Sequence, residues 1–155
     1  MYNQTVDIDY YGKFTVYSDL FGITAIKVNQ DIPDVTCIIT EKCVDQLKQY
    51  FDKTLTKFDV QISLPNATDF QLSVWRYLQK IPFGTTVSYQ QIANHLKNPK
   101  AVRAVGLANG QNPIPIVIPC HRVIGSNGKL TGYALGLELK RKLLDLESKQ
   151  IHLPF

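Results

Sequence analysis

An α+β protein is what this sequence predicts, with a small sheet-and-helix domain over residues 1–66 and a mostly helical domain over 67–155. Three observations carry that reading. Early runs of β-branched and aromatic residues are followed by one amphipathic helical stretch. Two S/T-x-x-Q capping boxes open helices after residue 67. The length of 155 residues, 45% of them apolar, suffices for one domain or two small packed ones without a disulfide or metal staple.

Along the chain, Lys13–Tyr17 and Phe21–Val28 read as strands joined by a turn at Ser18-Asp19, and Asp31-Ile32-Pro33-Asp34 breaks the pattern. Val44, Leu47 and Phe51 recur at helical spacing, which predicts a helix over Glu41–Lys53. Val60, Ile62 and Leu64 alternate as a half-buried strand closed by Pro65-Asn66. Thr68 with Gln71 caps a helix presenting Phe70, Val74 and Leu78 on one face, and Pro82-Phe83-Gly84 ends it. Ser88 with Gln91 opens a short helix through Ile92 and Leu96. Asn98 as cap and Pro99 at the first helical position predict a third helix. Two short helices this close form a helix-turn-helix pattern, which any α-rich core can also contain. The last helix, about Leu137–Ser148, places Leu139, Leu143 and Leu146 on one face.

Composition narrows the function classes. No apolar run approaches the ~20 residues of a membrane span. The opening MYNQTVDIDYYGK has neither the basic start nor the apolar stretch of a secretory signal. Three cysteines, an odd count, read as reduced thiols of a cytoplasmic, intracellular protein. Residues 1–66 carry six basic and nine acidic side chains, and residues 67–155 carry eleven basic and four acidic. That segregation suggests that the second half meets a polyanion, with chance segregation of solvated faces as the alternative. Lys140, Arg141, Lys142 and Lys149 are expected on the last helix, away from the helix-turn-helix.

The richest chemistry lies at Pro119-Cys120-His121. Ile114–Ile118 is apolar enough for a buried strand or extended segment, and Pro119 stops it. A thiol becomes a useful nucleophile as thiolate, and a nearby imidazole can take its proton directly or through water. Adjacent strand residues point to opposite faces, so the pair needs a turn; buried packing is the competing reading. The other zinc-ligand candidates, Cys37, Cys43, His95 and His152, show no metal-ligand spacing, so no metal is expected. Gly125 to Gly136 holds four glycines in twelve residues, a loop whose backbone can approach a ligand but without the P-loop pattern. The helix after Pro99, KAVRAVGLANG, is built from small residues with Arg103 as its long protrusion. Close approach to a surface and tight helix packing both fit it. Glu147 falls near the buried edge of the last helix, either paired with Lys142 or Arg141 at the surface or orienting His121.

Together these residues resemble the O6-alkylguanine-DNA alkyltransferases. The match rests on Pro119-Cys120-His121-Arg122-Val123, the Asn112-Pro113 ahead of it, Ser88-Tyr89-Gln90-Gln91, the run from Asn98 to Gly106, and Glu147. It runs without gaps from about Phe83 to Glu147, and the N-terminal half matches loosely. The resemblance implies a ribonuclease H-like N-terminal domain and a winged helix-turn-helix-like DNA-binding and active-site domain. It implies repair of O6-alkylguanine, and secondarily of O4-alkylthymine, in double-stranded DNA by irreversible transfer of the alkyl group to Cys120. His121 would deprotonate the thiol through a water, Glu147 would orient His121, and Asn112 would brace the turn. Arg103 would fill the stack after base flipping through the minor groove, and Tyr89 would press on the flanking phosphate and assist departure of guanine. Gln90, Asn98 and Ser126 would touch the DNA backbone, while Pro115, Tyr133, Ala134 and Leu135 would line the base pocket. The family often has glycine where Leu135 sits, which argues against bulky adducts. A monomer without cofactor, metal or membrane attachment is implied. A lesion sensor that flips the base without transfer, and a turnover hydrolase using Cys120, His121 and Glu147, are the competing readings.

Overall fold

The structure, a computed structural model, describes residues 1–148. The chain divides into two compact units, Met1–Pro65 and the part from Asn66 onward. His152 and Lys149, considered above, lie outside the described residues.

The first unit is an antiparallel sheet of β1 (Tyr2–Ile8), β2 (Gly12–Ser18) and β3 (Ile23–Val28), in that order, followed by helix α1 (Ile38–Phe51). Pairing of Val6 with Phe14 and of Val16 with Ile26 sets four buried side chains on the sheet. Helix α1 covers it with Val44, Leu47 and Phe51, whose ring stacks on Phe14 at 5.5 Å. Strand β1 is absent from the sequence reading because YNQTVDI has no regular apolar alternation. Its pairing with β2 overrides that weak local signal. Helix α1 starts three residues earlier than expected, because Cys37 acts as its cap and donates its N–H to Thr40 Oγ1 at 3.0 Å. It ends before Lys53, whose φ is 63°.

The strand expected over Val60–Leu64 is corrected to a single bridge between Ile23 and Ile62. Two backbone bonds make that bridge, Ile23 N–H to the Gln61 carbonyl and Ser63 N–H to the Ile23 carbonyl, both at 2.8 Å, and Ser63 Oγ also donates to Asp19 Oδ2 at 2.6 Å.

The second unit contains α2 (Asp69–Gln79), α3 (Tyr89–His95), α4 (Val102–Gly110) and α5 (Leu137–Ser148). A short parallel pair joins β4 (Val87–Ser88) to β5 (Val123–Ile124). Both capping boxes form. Thr68 Oγ1 accepts from Gln71 N–H at 3.1 Å, and Ser88 Oγ accepts from Gln91 N–H at 3.1 Å. Helix α4 packs on α2 and α3, with Trp75 Nε1 donating to the Ala108 carbonyl at 2.8 Å. The small residues of α4 permit that packing, and its Arg103 and Leu107 are exposed.

The start expected at Asn98-Pro99 is corrected: α4 begins at Val102. Pro99 occupies the second position of a turn closed by Ala101 N–H to the Asn98 carbonyl at 2.9 Å, a position its fixed φ favours. Among the described residues, no helix is long and apolar enough to cross a membrane.

Gly22 is required by space. A Cβ there would lie 2.8 Å from the Gln61 carbonyl, on backbone that bridges Ile23 to Ile62. Gly22→Ala is expected to destabilise the first unit by about 2 kcal/mol, whereas Gly110→Ala, at the end of α4 with open space around it, should leave the second unit as stable or slightly more so. Urea unfolding of both variants measures the difference.

Candidate active site

Cys120 owes its position to a strained, side-chain-braced loop. Asn112 Nδ2 donates to the Ile118 carbonyl at 2.7 Å, and Asn112 Oδ1 accepts from Ile114 N–H at 2.9 Å. Ile118 N–H then closes back on the Ile114 carbonyl at 2.9 Å. Ile114–Ile118 is therefore a buried turn, correcting the extended segment expected from its apolar run. Ile116 sits at φ 75° within it, a left-handed conformation that costs a β-branched residue about 1–3 kcal/mol. The surrounding hydrogen bonds hold it there.

Pro119 leads into a single 3-10 turn, Cys120–Arg122. Three residues per turn send successive side chains about 120° apart, which sets Cys120, His121 and Arg122 on different sides of the turn. The turn is pinned by Cys120 N–H to the Ile118 carbonyl at 2.7 Å and Arg122 N–H to the Pro119 carbonyl at 3.0 Å. Cys120 is 3% exposed. Burial pushes its thiol up to about 11, opposed by an Asn112 hydrogen bond and by the positive charge of Lys140.

Glu147, buried on α5, receives the other two side chains. His121 Nε2 lies 2.7 Å from Glu147 Oε2. Arg122 grips the same carboxylate with both prongs, Nε to Oε1 at 2.8 Å and Nη2 to Oε2 at 2.9 Å, and sends Nη1 to the Ile81 carbonyl at 2.7 Å. Gly84 N–H adds a donor to Oε1 at 3.1 Å. A carboxylate accepts only, so His121 carries its proton on Nε2 and turns the lone pair of Nδ1 inward. Nδ1 has no protein partner among the described residues. Burial favours the protonated carboxyl of Glu147, but bonds and charge from His121 and Arg122 outweigh it and hold the group well below its usual range. Burial, with the positive charges of Arg122 and Lys140, also lowers the His121 pKa against the opposing pull of Glu147. The imidazole is neutral near neutrality and able to accept a proton.

The alternative for Glu147, a surface pair with Lys142 or Arg141, is corrected: Lys142 lies 3.7 Å from Glu138 instead. Lys140 stands on the last helix, as the sequence predicts, but it is withdrawn from solvent. It is fully buried, with Nζ donating to the Val123 carbonyl at 2.7 Å and the Thr131 carbonyl at 2.9 Å. Sequence periodicity could not find it, because a lysine beside Leu139 reads as solvated. Arg122 was legible only as part of the matching run, without a role.

The remaining candidates divide into inner and outer groups. Tyr133 has a buried hydroxyl with no hydrogen-bond partner among the described residues, and its pKa is raised by burial and by the charges of Cys120 and Glu147. Pro115 is buried, Leu135 half-buried and Ala134 exposed. Tyr89 donates to or accepts from Thr131 Oγ1 at 2.8 Å, joining α3 to the glycine-rich loop, and its ring faces Gly106 of α4. Gln90 Nε2 donates to Asn94 Oδ1 at 2.9 Å and to the Pro99 carbonyl at 3.0 Å, which ties it to the turn between α3 and α4. Asn98, Arg103 and Ser126 are exposed. Ser126 lines a groove of about 350 Å³ with Thr86, Ser88 and Gln91. Among the described residues, no group of three or more His, Cys, Asp or Glu could hold a metal ion.

The sequence of residues 69–149 matches the model of the 6-O-methylguanine DNA methyltransferase DNA-binding domain. The chain belongs to that family. A methylated-DNA--protein-cysteine methyltransferase of Methanosarcina acetivorans is 59% identical over 102 residues, 66% of this chain and 65% of that protein. One of Mycobacterium tuberculosis is 57% identical over 107 residues, 69% of this chain and 64% of that protein. The chain thus matches just under two thirds of the length of these relatives. Among solved structures, the Mycobacterium tuberculosis OGT in complex with DNA superposes with a TM-score of 0.88 at 43% identity, covering 97% of this chain and 94% of that one. An O6-methylguanine DNA methyltransferase of Methanococcus jannaschii gives 0.65 at 26% identity, over 94% and 93%. The family likeness extends over the α+β fold as a whole.

The lowered pKa values of His121 and Glu147 make the fold sensitive to acid. The unfolded chain takes up a proton at His121 below about pH 6.5 and at Glu147 below about pH 4.5, and the folded chain resists both. Stability is therefore full above the unfolded values and is lost as pH falls. The urea midpoint is expected to drop steadily from about pH 7 to about pH 4. His121→Gln should flatten the upper part of that range. Glu147→Gln should flatten the lower part and cost about 3 kcal/mol near neutrality, because it leaves buried Arg122 unpaired. A midpoint constant over the whole range would contradict the assignment.

Proposed function

We propose that the protein reverses alkylation damage by transferring a methyl or small alkyl group from O6 of guanine, and secondarily O4 of thymine, in double-stranded DNA to Cys120. The observation that carries this reading is a buried thiol beside a neutral His121 whose Nε2 is committed to Glu147. The family relationship and the likeness to the DNA complex of the Mycobacterium tuberculosis protein support it.

In the reaction, His121 Nδ1 takes the Cys120 proton, directly or through a water. The thiolate attacks the carbon on O6, a sulfur–carbon bond forms and the carbon–oxygen bond breaks. Guanine leaves with the electron pair and recovers a proton, assisted by Tyr89 beside Thr131. The product is an uncharged thioether with no leaving group comparable to guanine, so each molecule acts once. That chemistry needs no metal or cofactor, and it disfavours a turnover hydrolase. The presence of Cys120 disfavours a pure lesion sensor.

An alkylated guanine inside a duplex is out of reach and must be extruded. Helix α4 supplies the parts for that step, with exposed Arg103 to occupy the gap and small residues to permit close approach to the minor groove. Gln90, Asn98 and Ser126 serve as backbone contacts, and Pro115, Tyr133, Ala134 and Leu135 as the pocket wall. Leu135 limits the pocket to small alkyl groups. The protein acts as a monomer in the cytoplasm, on residues 67–155 of the chain.

Incubation with duplex DNA containing O6-methylguanine should add the mass of one CH₂ to Cys120 and remove one methyl group per protein molecule. Cys120→Ala should abolish transfer and retain lesion binding. Several turnovers per molecule, or the added mass on Cys37 or Cys43, would sink the proposal.

Arg103→Ala separates base flipping from chemistry. Repair of duplex should slow by about tenfold or more, while methyl transfer from free O6-methylguanine base stays near the wild-type rate, since only the duplex requires extrusion. His121→Ala should slow both substrates. Equal losses on duplex and free base for Arg103→Ala would remove support for its flipping role.

A further inference from the structure

We propose that Lys140 is a positioning residue for the alkyl acceptor, its buried ammonium serving as the counter-charge of the Cys120 thiolate. This rests on the reading of Cys120 as the acceptor.

The starting observation is a fully buried lysine whose hydrogen-bond partners are two neutral carbonyls, Val123 at 2.7 Å and Thr131 at 2.9 Å. Among the described residues, no carboxylate lies within ion-pair distance of it. An ammonium removed from water and left without an anion is costly, and such groups are normally paired. The two carbonyls use two of its three N–H donors and leave the third uncommitted. They also fix where the charge sits. Val123 opens β5 directly after the turn that carries Cys120, and Thr131 belongs to the loop that carries Tyr133. The lysine therefore clamps the segment that follows the Cys120 turn to the loop that carries Tyr133.

The charges around Cys120 leave Lys140 as the unbalanced one. His121 and Arg122 stand on its own turn, and Glu147 and Lys140 come from α5. Tyr133 comes from the loop and Asn112 from the turn before it. Arg122 and Glu147 neutralise each other through two hydrogen bonds. The His121 pKa is lowered, so it contributes no charge, and Tyr133 keeps its proton. The positive charge of Lys140 and the negative charge of the thiolate each favour the other's ionised state. The arrangement thus answers two questions together: what anion the buried ammonium faces, and what offsets the burial of the thiolate.

Methyl iodide tests this without DNA. The Cys120 thiolate forms a sulfur–carbon bond, the carbon–iodine bond breaks and iodide leaves, and peptide masses separate Cys120 from Cys37 and Cys43. Methylation rates are measured against pH for the wild type, Lys140→Met and Lys140→Arg. Lys140→Met is expected to react about tenfold more slowly near neutrality, with its inflection raised by about one unit, and Lys140→Arg to regain most of the rate. A purely structural role predicts the opposite sign, because loosening the clamp would expose the thiol and relieve the burial that raises its pKa. Equal or faster methylation of folded Lys140→Met would overturn the proposal.

A second measurement does not depend on that variant folding. Coupling between two sites is reciprocal. Lys140 should lose its proton at lower pH in Cys120→Ala than in the wild type, read from the NMR titration of its ε-methylene. An unchanged titration would overturn the proposal as well. Failure of the repair reading itself would look different: a wild type that reacts with methyl iodide but takes no methyl group from alkylated duplex.

Discussion

The geometry around the thiol depends on one carboxylate. Glu147 is buried, and donors from Arg122, His121 and the Gly84 backbone keep it ionised. Without Arg122 the carboxylate would face an imidazole with no other charge to balance it, and the shared proton would have two comparable homes. With Arg122 in place, the negative charge is already balanced, so Glu147 orients His121 without drawing a second proton onto it. The neutral imidazole then keeps a free acceptor on Nδ1. Arg122 also carries Ile81, just beyond α2, into the same network through Nη1. The last helix, the 3-10 turn and the segment after α2 are thereby fixed to a common point.

Around this point the chain spends conformational strain and burial to place a sulfur. Ile116 is held in a left-handed conformation, and Asn112 uses both ends of its amide to fold the loop over itself. The consequence for chemistry is mixed. Burial protects the thiol and raises its pKa, which suppresses adventitious reaction. It also makes the thiolate scarce unless nearby groups favour it. His121 supplies a place for the proton, and Lys140 supplies charge. A thiol of this kind stays quiet until a substrate completes the site, which suits the single transfer proposed for it.

Much of this was legible in the sequence, and the failures have physical causes. The capping boxes at Thr68 and Ser88 were visible because the cap requires specific residue types at fixed spacing. Pairing of His121 with Glu147 was open to the sequence only as one of two alternatives, since helical periodicity put Glu147 near the buried edge. Periodicity failed for Lys140, because it treats charge as exposure and cannot foresee two carbonyls waiting in the interior. Ile114–Ile118 looked extended because an apolar run carries no information about a turn dictated by a distant amide. Strand β1 escaped notice for the converse reason: its pattern is weak, and its partner β2 determines it. Asn98-Pro99 misled because a cap followed by proline and a turn with proline at its second position share the same two residues.

The most direct test of this account is the protonation of His121 itself, read by ¹⁵N NMR of the imidazole at neutral pH. The account predicts a neutral ring, protonated at Nε2 toward Glu147 and bare at Nδ1. An imidazolium at neutral pH, or a neutral ring protonated at Nδ1, would contradict it, because neither could take the proton of Cys120.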